Sequence, residues 1–280
     1  MKGILFMIDR RKQKNGNLIP LLILCFSLIL SGCGKSTGYG VRAIETLVEQ
    51  EYSLAFRNDD PTAYYIIGAI QALDEEGKLG ELCLKWFGQR VINYPKTGIR
   101  LDSLPPTEYR DFIIGLDINS FPLAYAANGE YWGFDVEFAV AVCEKLGWHI
   151  KMQPIEKENV YIELSSGNID CAWGGIALNP EEVESRIYSR YGPYVKNDIV
   201  VAVRSSSYGQ NSMMLNGKKM VMPSTPEAME ALNSDPKLAK RLGQITRLAG
   251  GTTECFSQLY AGKCDAVLTD STALYYFNSH

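Results

Sequence analysis

The stretch FIIGLDINSFPLAYAANGEYWGFDVEFAVAVCEKLGWHIKMQPI, residues 112–155, reads as a strand, a helix and a second strand. The apolar run at its start predicts a strand that leads into a polar loop. Asp135 then caps a helix that Gly147 ends. Phe138 and Val142 are spaced to lie on the buried face of that helix. This order predicts one parallel βαβ unit.

Strands and helices continue to alternate in the second half of the sequence. We predict a helix over 157–166 and strands over 169–178, 197–207 and 218–223. Thr225 caps the next helix, and the order of strand, helix, strand and helix is then repeated to the end of the sequence. The pattern favours an α/β fold with parallel sheets, but a sheet that ends on a helix in this way is one strand short.

Two strands and two helices are predicted near the N-terminal side. Residues 41–47 and 52–57 have the residue types and alternation of strands. Asp60 caps a helix, and KLGELCLKWF (78–87) forms a shorter one. Residues 89–111 contain three prolines and no helical period, so we interpret them as a connector.

Residues 1–32 are predicted to be a targeting segment that is not part of the fold. Basic residues precede the apolar stretch LIPLLILCFSLIL (18–30), which is too short for a comfortable transmembrane helix. The following LSGC ends at Cys33 and resembles a bacterial lipobox, in which the chain is cut before the cysteine and the thiol is lipidated. Residues 33–40 would then be a lipid-anchored tether. The alternative is a plain signal anchor in which Cys33 has no role.

The composition argues against several functions. The 280 residues carry a formal net charge of −4, so no basic surface for nucleic acid is expected. The sequence has only two histidines, and the cysteines after Cys33 form no CxxC pair, so neither a metal site nor a cofactor is predicted. We interpret those cysteines as buried apolar residues, with a Cys255–Cys264 disulfide as the alternative.

Three segments, in order, resemble the family 3 extracellular solute-binding proteins, the amino-acid receptors of ABC importers. They are residues 112–155, SGNIDCAWGGIALNPEE (166–182) and GKCDAVLTDSTALYYF (262–277), and the resemblance extends over 112–280. Within that family, the sequence is similar above all to lipoprotein members from Gram-positive bacteria. The resemblance implies an α/β fold of the type II periplasmic-binding-protein kind, in which two lobes close by hinge motion on a ligand in the cleft between them.

The order of the elements resembles a circular permutation of that family. In the family, a strand, a crossover and two helices similar to residues 41–88 come after the segment ALYYF instead of before the rest. Residues 89–111 would join the family's usual ends, which is physically tolerated where chain ends lie close together. Lobe 1 would comprise residues 50–203, and lobe 2 would comprise residues 41–49 with 204–280. A remnant of a tandem duplication and a misjoined gene are the alternatives.

The resemblance also implies that carboxylates from both lobes hold the ammonium group of the ligand. Asp117 matches the family's carboxylate of lobe 1, and Asp270 matches that of lobe 2. The alternative is that each aspartate only caps a helix or a turn. Gly174 and Gly175 would let the backbone approach the ligand closely.

The residues that hold a ligand carboxylate in the family are changed here. Ala177 and Glu182 occupy the positions of the usual threonine and arginine, and a glutamate repels an anion. Arg186, one helical turn later, is a candidate replacement, with a solvated helix face as the alternative reading. Ser224 and Thr225, at the start of a helix, offer a second anion site.

The aromatic wall is changed as well. Ser120 stands where the family usually stacks an aromatic ring on the ligand, with Phe121 beside it, and Lys157 stands where another aromatic is common. Trp173 and Tyr125 are candidates for a stacking or cation–π surface. The alternative is that both belong to the core.

Together these residues predict a lipid-anchored receptor on the outer face of the membrane of a Gram-positive cell. It would act as a monomer and deliver an amino acid or a related amine-bearing solute to an ABC permease. It is not expected to be an enzyme, to bind nucleic acid or to need a cofactor. A ligand-sensing or inactive homologue is the alternative. A dehydratase-like enzyme on the same fold would depend on Glu182, Asp117 or Lys157 for acid–base chemistry.

Overall fold

The computed structural model of the chain describes residues 40–207 and 212–280. The predicted signal segment, the tether up to residue 39 and the lipidation site at Cys33 lie outside the described residues. Within the described ranges, no helix has both the length and the apolar character needed to cross a membrane.

Strands and helices alternate along most of the described chain. The strands are β1 (Val41–Val48), β2 (Glu51–Phe56), β3 (Asp111–Leu116), β4 (Asn119–Ser120), β5 (Ala124–Ala127), β6 (Glu130–Trp132), β7 (His149–Pro154), β8 (Cys171–Ala172), β9 (Ser189–Lys196), β10 (Ile199–Arg204), β11 (Lys219–Pro223), β12 (Gln244–Leu248) and β13 (Ala266–Asp270). The α-helices are α1 (Thr62–Glu75), α2 (Lys78–Phe87), α3 (Phe134–Leu146), α4 (Val160–Ser166), α5 (Pro180–Glu184), α6 (Pro226–Ser234), α7 (Pro236–Arg241), α8 (Gly251–Tyr260) and α9 (Ser271–Ser279). Short 3₁₀-helices cover Leu101–Ser103, Lys157–Asn159 and Ser212–Leu215.

The two lobes have the same sheet topology. The five-stranded sheet of lobe 1 has the order β7-β3-β8-β2-β9, with β3 parallel to β7 and β8 and with β2 antiparallel to its neighbours. The five-stranded sheet of lobe 2 has the order β12-β11-β13-β10-β1, with β11 parallel to β12 and β13 and with β10 antiparallel to its neighbours. This is the two-lobe α/β fold of the type II periplasmic-binding-protein kind that the family resemblance implies.

Helices cover both faces of the lobe 1 sheet. Ile66 of α1 and Phe138 of α3 are completely buried in one group of apolar residues, and Leu164 of α4 is buried in another. The neighbours Leu54 and Ala55 in β2 belong to different groups, because successive side chains of a strand point to opposite faces. The sheet is therefore buried on both sides, as βαβ units require.

The chain crosses between the lobes twice, once from β1 to β2 and once from β9 to β10. The two crossings are hydrogen-bonded to each other. Asn197 donates its backbone N–H to the carbonyl of Gln50 at 3.0 Å, and the N–H of Gln50 donates to Oδ1 of Asp198 at 3.3 Å. Because β10 begins at Ile199 and lies in the lobe 2 sheet, the second crossing comes before the expected boundary between residues 203 and 204.

The second half of the sequence alone leaves the lobe 2 sheet one strand short, and β1 is the strand that completes it. It pairs antiparallel with β10, from Val41 opposite Arg204 to Val48 opposite Ile199. Asn278 in α9 fixes the start of β1, because its Oδ1 accepts the N–H of Val41 at 2.8 Å and its Nδ2 donates to the carbonyl of Val41 at 2.9 Å. The last helix and the first strand of the described chain are therefore adjacent in lobe 2.

Asp135 does not cap α3, so that prediction is wrong. The helix begins at Phe134 after Gly133, whose φ of 134° is a backbone conformation that favours glycine. Asp135 is completely buried and accepts hydrogen bonds from Oη of Tyr194 at 2.7 Å and from the backbone N–H of Gly175 at 2.8 Å. Its carboxyl group thus ties the start of α3 to β9 and to the segment after β8.

Several irregular segments differ from the predictions. The predicted loop after β3 forms a three-stranded antiparallel sheet of β4, β5 and β6. The predicted strand over 169–178 is reduced to β8 alone. Strand β9 and helix α7 were not predicted. Gly192 and Pro193 interrupt the apolar pattern of β9, which hides it from a reading by periodicity.

The five described cysteines are free and buried, as predicted, and Cys255 and Cys264 form no disulfide. Burial raises the pKa of Cys255 to about 12, so its thiol stays protonated at neutral pH. In the part of the chain that the structure describes, no group of three or more histidine, cysteine, aspartate or glutamate side chains is arranged to hold a metal ion.

Candidate functional site

A cavity of about 760 Å³ lies between the lobes, where the carboxyl ends of parallel strands from both sheets meet. Asp117 follows β3 on the lobe 1 side. On the lobe 2 side, Ser224 follows β11 and Asp270 ends β13. Ligands of open α/β sheets bind outside the carboxyl ends of the strands, so this cavity is the candidate binding site.

Asp117 forms part of the lobe 1 wall. Its Oδ1 accepts the N–H of Asn119 at 2.9 Å, and its Oδ2 lies 3.3 Å from Oγ of Ser120. Burial raises the pKa of Asp117, and the negative charge of Glu227 across the cavity adds to the rise. The hydrogen bonds act in the opposite direction but do not cancel it.

Asp270 forms part of the lobe 2 wall. Burial raises its pKa to about 7, and the charges of Glu227 and Asp117 add to that rise. Asp270 precedes α9 but makes no capping hydrogen bond to it, so the alternative of a simple helix cap finds no support. Instead Nδ2 of Asn197 donates to its Oδ1 at 3.3 Å. Asn197 also accepts from the N–H and Oγ1 of Thr272, so a residue of the lobe crossing holds the start of α9 beside Asp270.

Lys157 and Glu227 form an ion pair across the cavity. Nζ of Lys157, in the 3₁₀-helix after β7, lies 2.6 Å from Oε1 of Glu227 in the first turn of α6. Lys157 is the one cationic side chain among the described residues that line this cavity. Its ammonium group is already engaged in the ion pair with Glu227. A second cavity of about 840 Å³ shares Lys157 and Glu227 with the first, so the pair lines both parts of the cleft.

Ser120 and Gly175 hold the two sides of the lobe 1 wall together. Oγ of Ser120 donates to the carbonyl of Gly175 at 2.8 Å. Gly175 has a φ of 69°, and a Cβ at this position would overlap the side chain of Ser120. The small serine, where the resemblance implies an aromatic ring, therefore fits against the glycine.

Phe121 lies at an aromatic contact between the lobes. Its ring centroid is 4.9 Å from that of Tyr276 in α9 and 5.1 Å from that of Tyr125 in β5. Phe121 and Tyr125 both line the cavity. Phe121 also packs against Tyr276 of α9 and thereby forms part of the contact between the lobes.

Most of the predicted site residues line the cavity. They are Asp117, Phe121, Gly175, Ala177, Ser224, Thr225 and Asp270. Thr225 is at the start of α6, and its Oγ1 accepts the N–H of Ala228 at 3.3 Å, so the predicted cap is confirmed. Pro226 has no N–H, and the N–H of Ala228 is bound to Thr225, so few backbone N–H groups at the start of α6 are free to bind an anion.

Four predicted site residues do not line the cavity. Trp173 is fully buried and packs edge-on against Phe138, with ring centroids 4.9 Å apart, so its core alternative is the correct one. Gly174 is buried behind the wall, where its carbonyl accepts the N–H of Asp117 at 2.9 Å. It supports the aspartate from behind and does not contact the cavity.

Glu182 and Arg186 complete this group. Glu182 does not line the cavity, and its negative charge, after burial, raises the pKa of Tyr188. Arg186 is exposed, and its backbone φ of 52° ends the short helix α5 with the carbonyl accepting from Nδ2 of Asn58. It does not take the place of the missing arginine.

The sequence reasoning missed several residues of the cavity wall. Glu227 stands two residues after the capping Thr225, a spacing that would have shown it in the first turn of α6. Residues 250–253 line the cavity at the start of α8, and the GGTT sequence there is itself a signal for a helix N-terminus. Tyr52 and Thr269 also line it, but each lies in a strand pattern that gives no sign of this.

The chain is similar to a known family of bacterial proteins. Residues 112–250 match the family model described as "Bacterial extracellular solute-binding proteins, family 3". The "Probable amino-acid-binding protein YxeM" of Bacillus subtilis is 31% identical over 88 residues, which are 31% of this chain and 33% of that protein. The "Probable amino-acid ABC transporter-binding protein" of Haemophilus influenzae is 27% identical over 155 residues, 55% of this chain and 57% of that protein.

A third relative and two solved structures give similar coverage. The "Arginine-binding extracellular protein ArtP" of Bacillus subtilis is 24% identical over 61% of this chain and 66% of that protein. A polar amino acid ABC uptake transporter substrate-binding protein from Streptococcus thermophilus is 26% identical over 57% of this chain and 61% of that chain, with a TM-score of 0.46. A histidine-bound ABC uptake transporter substrate-binding protein from Streptococcus pneumoniae is 25% identical over 60% of this chain and 68% of that chain, with a TM-score of 0.43. The matches to the curated relatives span from 33% to 66% of their length.

Proposed function

Residues 112–250 identify this chain as a family 3 bacterial extracellular solute-binding protein, and from this premise we propose that it is the ligand receptor of an ABC importer. Its ligand is an amino acid or a related amine-bearing solute, held in the cleft between the lobes. The family is one of solute-binding proteins, so the receptor releases its ligand chemically unchanged. The relatives named as amino-acid-binding and arginine-binding proteins support this class of ligand.

The observation that carries the proposal is the pair Asp117 and Asp270 on opposite walls of one cavity. Neither is paired with a lysine or an arginine within the described residues, and the pKa of each is raised by burial. An ammonium group between them would relieve the cost of these buried carboxylates. A ligand that touches both walls binds the closed arrangement of the lobes more tightly than an open one.

The cellular setting is part of the same proposal. Cleavage before Cys33 and lipidation of its thiol would anchor the receptor, as a monomer, to the outer face of the membrane of a Gram-positive cell, where it meets a permease. This part rests on the sequence of residues 1–39, which lie outside the described residues. The permease partner is supported by the name of the Haemophilus influenzae relative.

We also propose that the chain is a circular permutant of its family. The support is geometric. Strand β1 occupies the edge position of lobe 2, and Asn278 of the last helix is hydrogen-bonded to Val41 at the start of β1. Trp86 near the end of α2 packs against Tyr276, with ring centroids 5.9 Å apart, so the segment before the connector also lies beside α9.

The test is a thermal-shift measurement on the purified full-length chain with two panels, the amino acids and amines that lack a carboxylate. A ligand at a hundred times its dissociation constant adds about 2.7 kcal/mol to the free energy of unfolding. A raised melting temperature with members of either panel supports the receptor. A cooperative melt that no member of either panel shifts contradicts it and favours an inactive or sensing homologue.

A further inference from the structure

The walls of the cavity carry more negative than positive charge. Asp117, Glu227 and Asp270 line it, and the one cationic side chain of the described lining is Lys157. Lys157 is engaged with Glu227 at 2.6 Å, so the two aspartates are left without a cation. A zwitterionic amino acid brings no net charge to this imbalance, and a cationic amino acid brings one positive charge. A ligand with two positive charges and no negative one balances it.

Two of the three helices that begin at the cavity carry a glutamate of this chain in their first turn. Glu227 stands in the first turn of α6, directly after Pro226, which has no N–H. Glu254 stands in the first turn of α8, and its Oε2 accepts the N–H of Gly250 at 3.0 Å. The positive end of a helix dipole favours an anion, but here these glutamates supply the anion. A ligand carboxylate at either helix would lie beside a like charge.

The third helix that begins at the cavity, α9, also has an acidic side chain at its N-terminus. Asp270 directly precedes α9, so its carboxylate is the negative charge at that end. Each of the described helices that begin at the cavity therefore has an acidic side chain at its N-terminus. Within the described lining of this cavity, Lys157 is the sole cation and is already paired, so a ligand carboxylate held here would find no free cationic partner; Arg190 and Lys196 line only the second cavity.

One buried hydroxyl beside the cavity has no hydrogen-bond partner in the described part of the chain. It is Oγ1 of Thr269, which lines the cavity with a residue exposure of 3%. Buried polar atoms are satisfied in nearly all native structures. An ammonium group has three donors and no acceptor, so it can satisfy the hydroxyl and a neighbouring carboxylate together.

We propose that the ligand is an aliphatic diamine, a dication with one ammonium group at Asp117, the other at Asp270 and no carboxylate. The inference rests on the proposed receptor function and narrows its substrate class. Phe121 and Tyr125, whose rings line the same cavity, cover the methylene chain between the two charges. The altered family positions agree with this, because a receptor of diamines has no use for a carboxylate-binding arginine.

The test uses pairs of ligands that differ only in the carboxylate. Isothermal titration calorimetry on the full-length chain compares cadaverine with L-lysine, putrescine with L-ornithine and agmatine with L-arginine. The expected result is that each decarboxylated ligand binds at least ten times more tightly than its amino acid. Cadaverine is also expected to bind at least ten times more tightly than n-pentylamine, which has the same chain and one charge.

Variants separate the contributions. Asp117→Asn is expected to reduce the preference for cadaverine over n-pentylamine, and Glu227→Gln is expected to narrow the gap between cadaverine and L-lysine. Asp102→Asn, an exposed aspartate paired with Arg100 away from the cavity, serves as the matched control and is expected to change neither ratio. Thermal melts of each variant show that it is folded.

The outcomes are distinct. Tighter binding of the amino acids overturns the diamine inference and leaves the receptor function standing. Equal binding of cadaverine and n-pentylamine overturns the assignment of two ammonium sites. Failure of the folded protein to bind any of these amines or amino acids contradicts the receptor function itself, and the inference falls with it.

Discussion

Nζ of Lys157 lies 2.6 Å from Oε1 of Glu227 and joins the two lobes across the cavity. The two side chains are 31% and 41% exposed, so solvent screens the pair and its contribution to the free energy of unfolding is below about 1 kcal/mol. Its greater effect is on the charge of the cleft, because it neutralises Glu227 and leaves Asp117 and Asp270 for the ligand.

Lys157→Met and Glu227→Gln should therefore change the affinity for a cation in opposite directions. Loss of the lysine makes the cleft more negative and tightens cadaverine binding about fivefold, whereas loss of the glutamate weakens it by a similar factor. Titration calorimetry at low salt checks both. If both variants weaken binding equally, the pair acts as a latch between the lobes and not through the charge of the cleft.

Binding of an amine should depend on pH through Asp270. The pKa of Asp270 is raised from its ordinary value of 3.8 to about 7 in the ligand-free protein, and a bound ammonium lowers it. Below pH 7 the ligand must displace a proton, so the dissociation constant rises as the pH falls, by at most about tenfold per pH unit. Calorimetry from pH 5.5 to 8.5 measures this, with Asp270→Asn as the control that loses the dependence. A flat profile in the unmodified protein contradicts it.

Tyr194→Phe should destabilise the protein more at pH 8 than at pH 5. Burial raises the pKa of Asp135 to about 7, and the hydrogen bonds from Tyr194 and Gly175 hold it below a still higher value. A raised carboxyl pKa makes stability fall as the pH rises through the folded-state pKa, and removing the Tyr194 hydroxyl raises that pKa further. We expect a loss of about 1 to 3 kcal/mol at pH 8 and a smaller loss at pH 5.

Urea unfolding at the two pH values measures this difference. Tyr109→Phe is the matched control, because Tyr109 is 75% exposed and loses only a solvated hydroxyl. An equal loss for Tyr194→Phe at both pH values would mean that the hydroxyl acts by packing and not through the charge of Asp135.

The regular elements could be predicted because their signals are local. The apolar period and the glycines on either side gave α2 its observed bounds of Lys78 and Phe87. Strand β9 could not be read in this way, because Gly192 and Pro193 break its pattern and only its pairing with β2 defines it. Asp135 was misread for a related reason. An aspartate before an apolar helix resembles a cap, and only the fold brings Tyr194 and Gly175 to it.

The candidate site was predicted as far as the family resemblance reaches. Asp117 and Asp270 came from motif positions, and the fold brings them to the same cavity. Trp173 was a wrong candidate, because the sequence does not say whether the residue that directly follows β8 points to the cleft or to the core. Lys157 and Glu227 are 70 residues apart, and no local pattern pairs them.

Restoring the family order of elements should leave fold and binding intact. A reordered chain would run from residue 105 to residue 280, continue through a short glycine-rich link into residue 40, and end at residue 104. This cut keeps Ile92 and Asn93 of the connector bound to β9. We expect a cooperative melt and a dissociation constant within about threefold of the original. Loss of cooperative folding would contradict the permutation, since the junction of Asn278 with Val41 would then not tolerate direct linkage.

The central claim is that one ligand contacts carboxylates from both lobes, and calorimetry on Asp117→Asn and Asp270→Asn tests it most directly. The amide keeps the size of each side chain and removes its charge, and the melting temperature reports that the variant is folded. Each single variant is predicted to weaken binding of the tightest ligand at least tenfold, which is about 1.4 kcal/mol. Unchanged affinity in either folded variant would contradict the claim, because a ligand indifferent to one wall cannot be held between both.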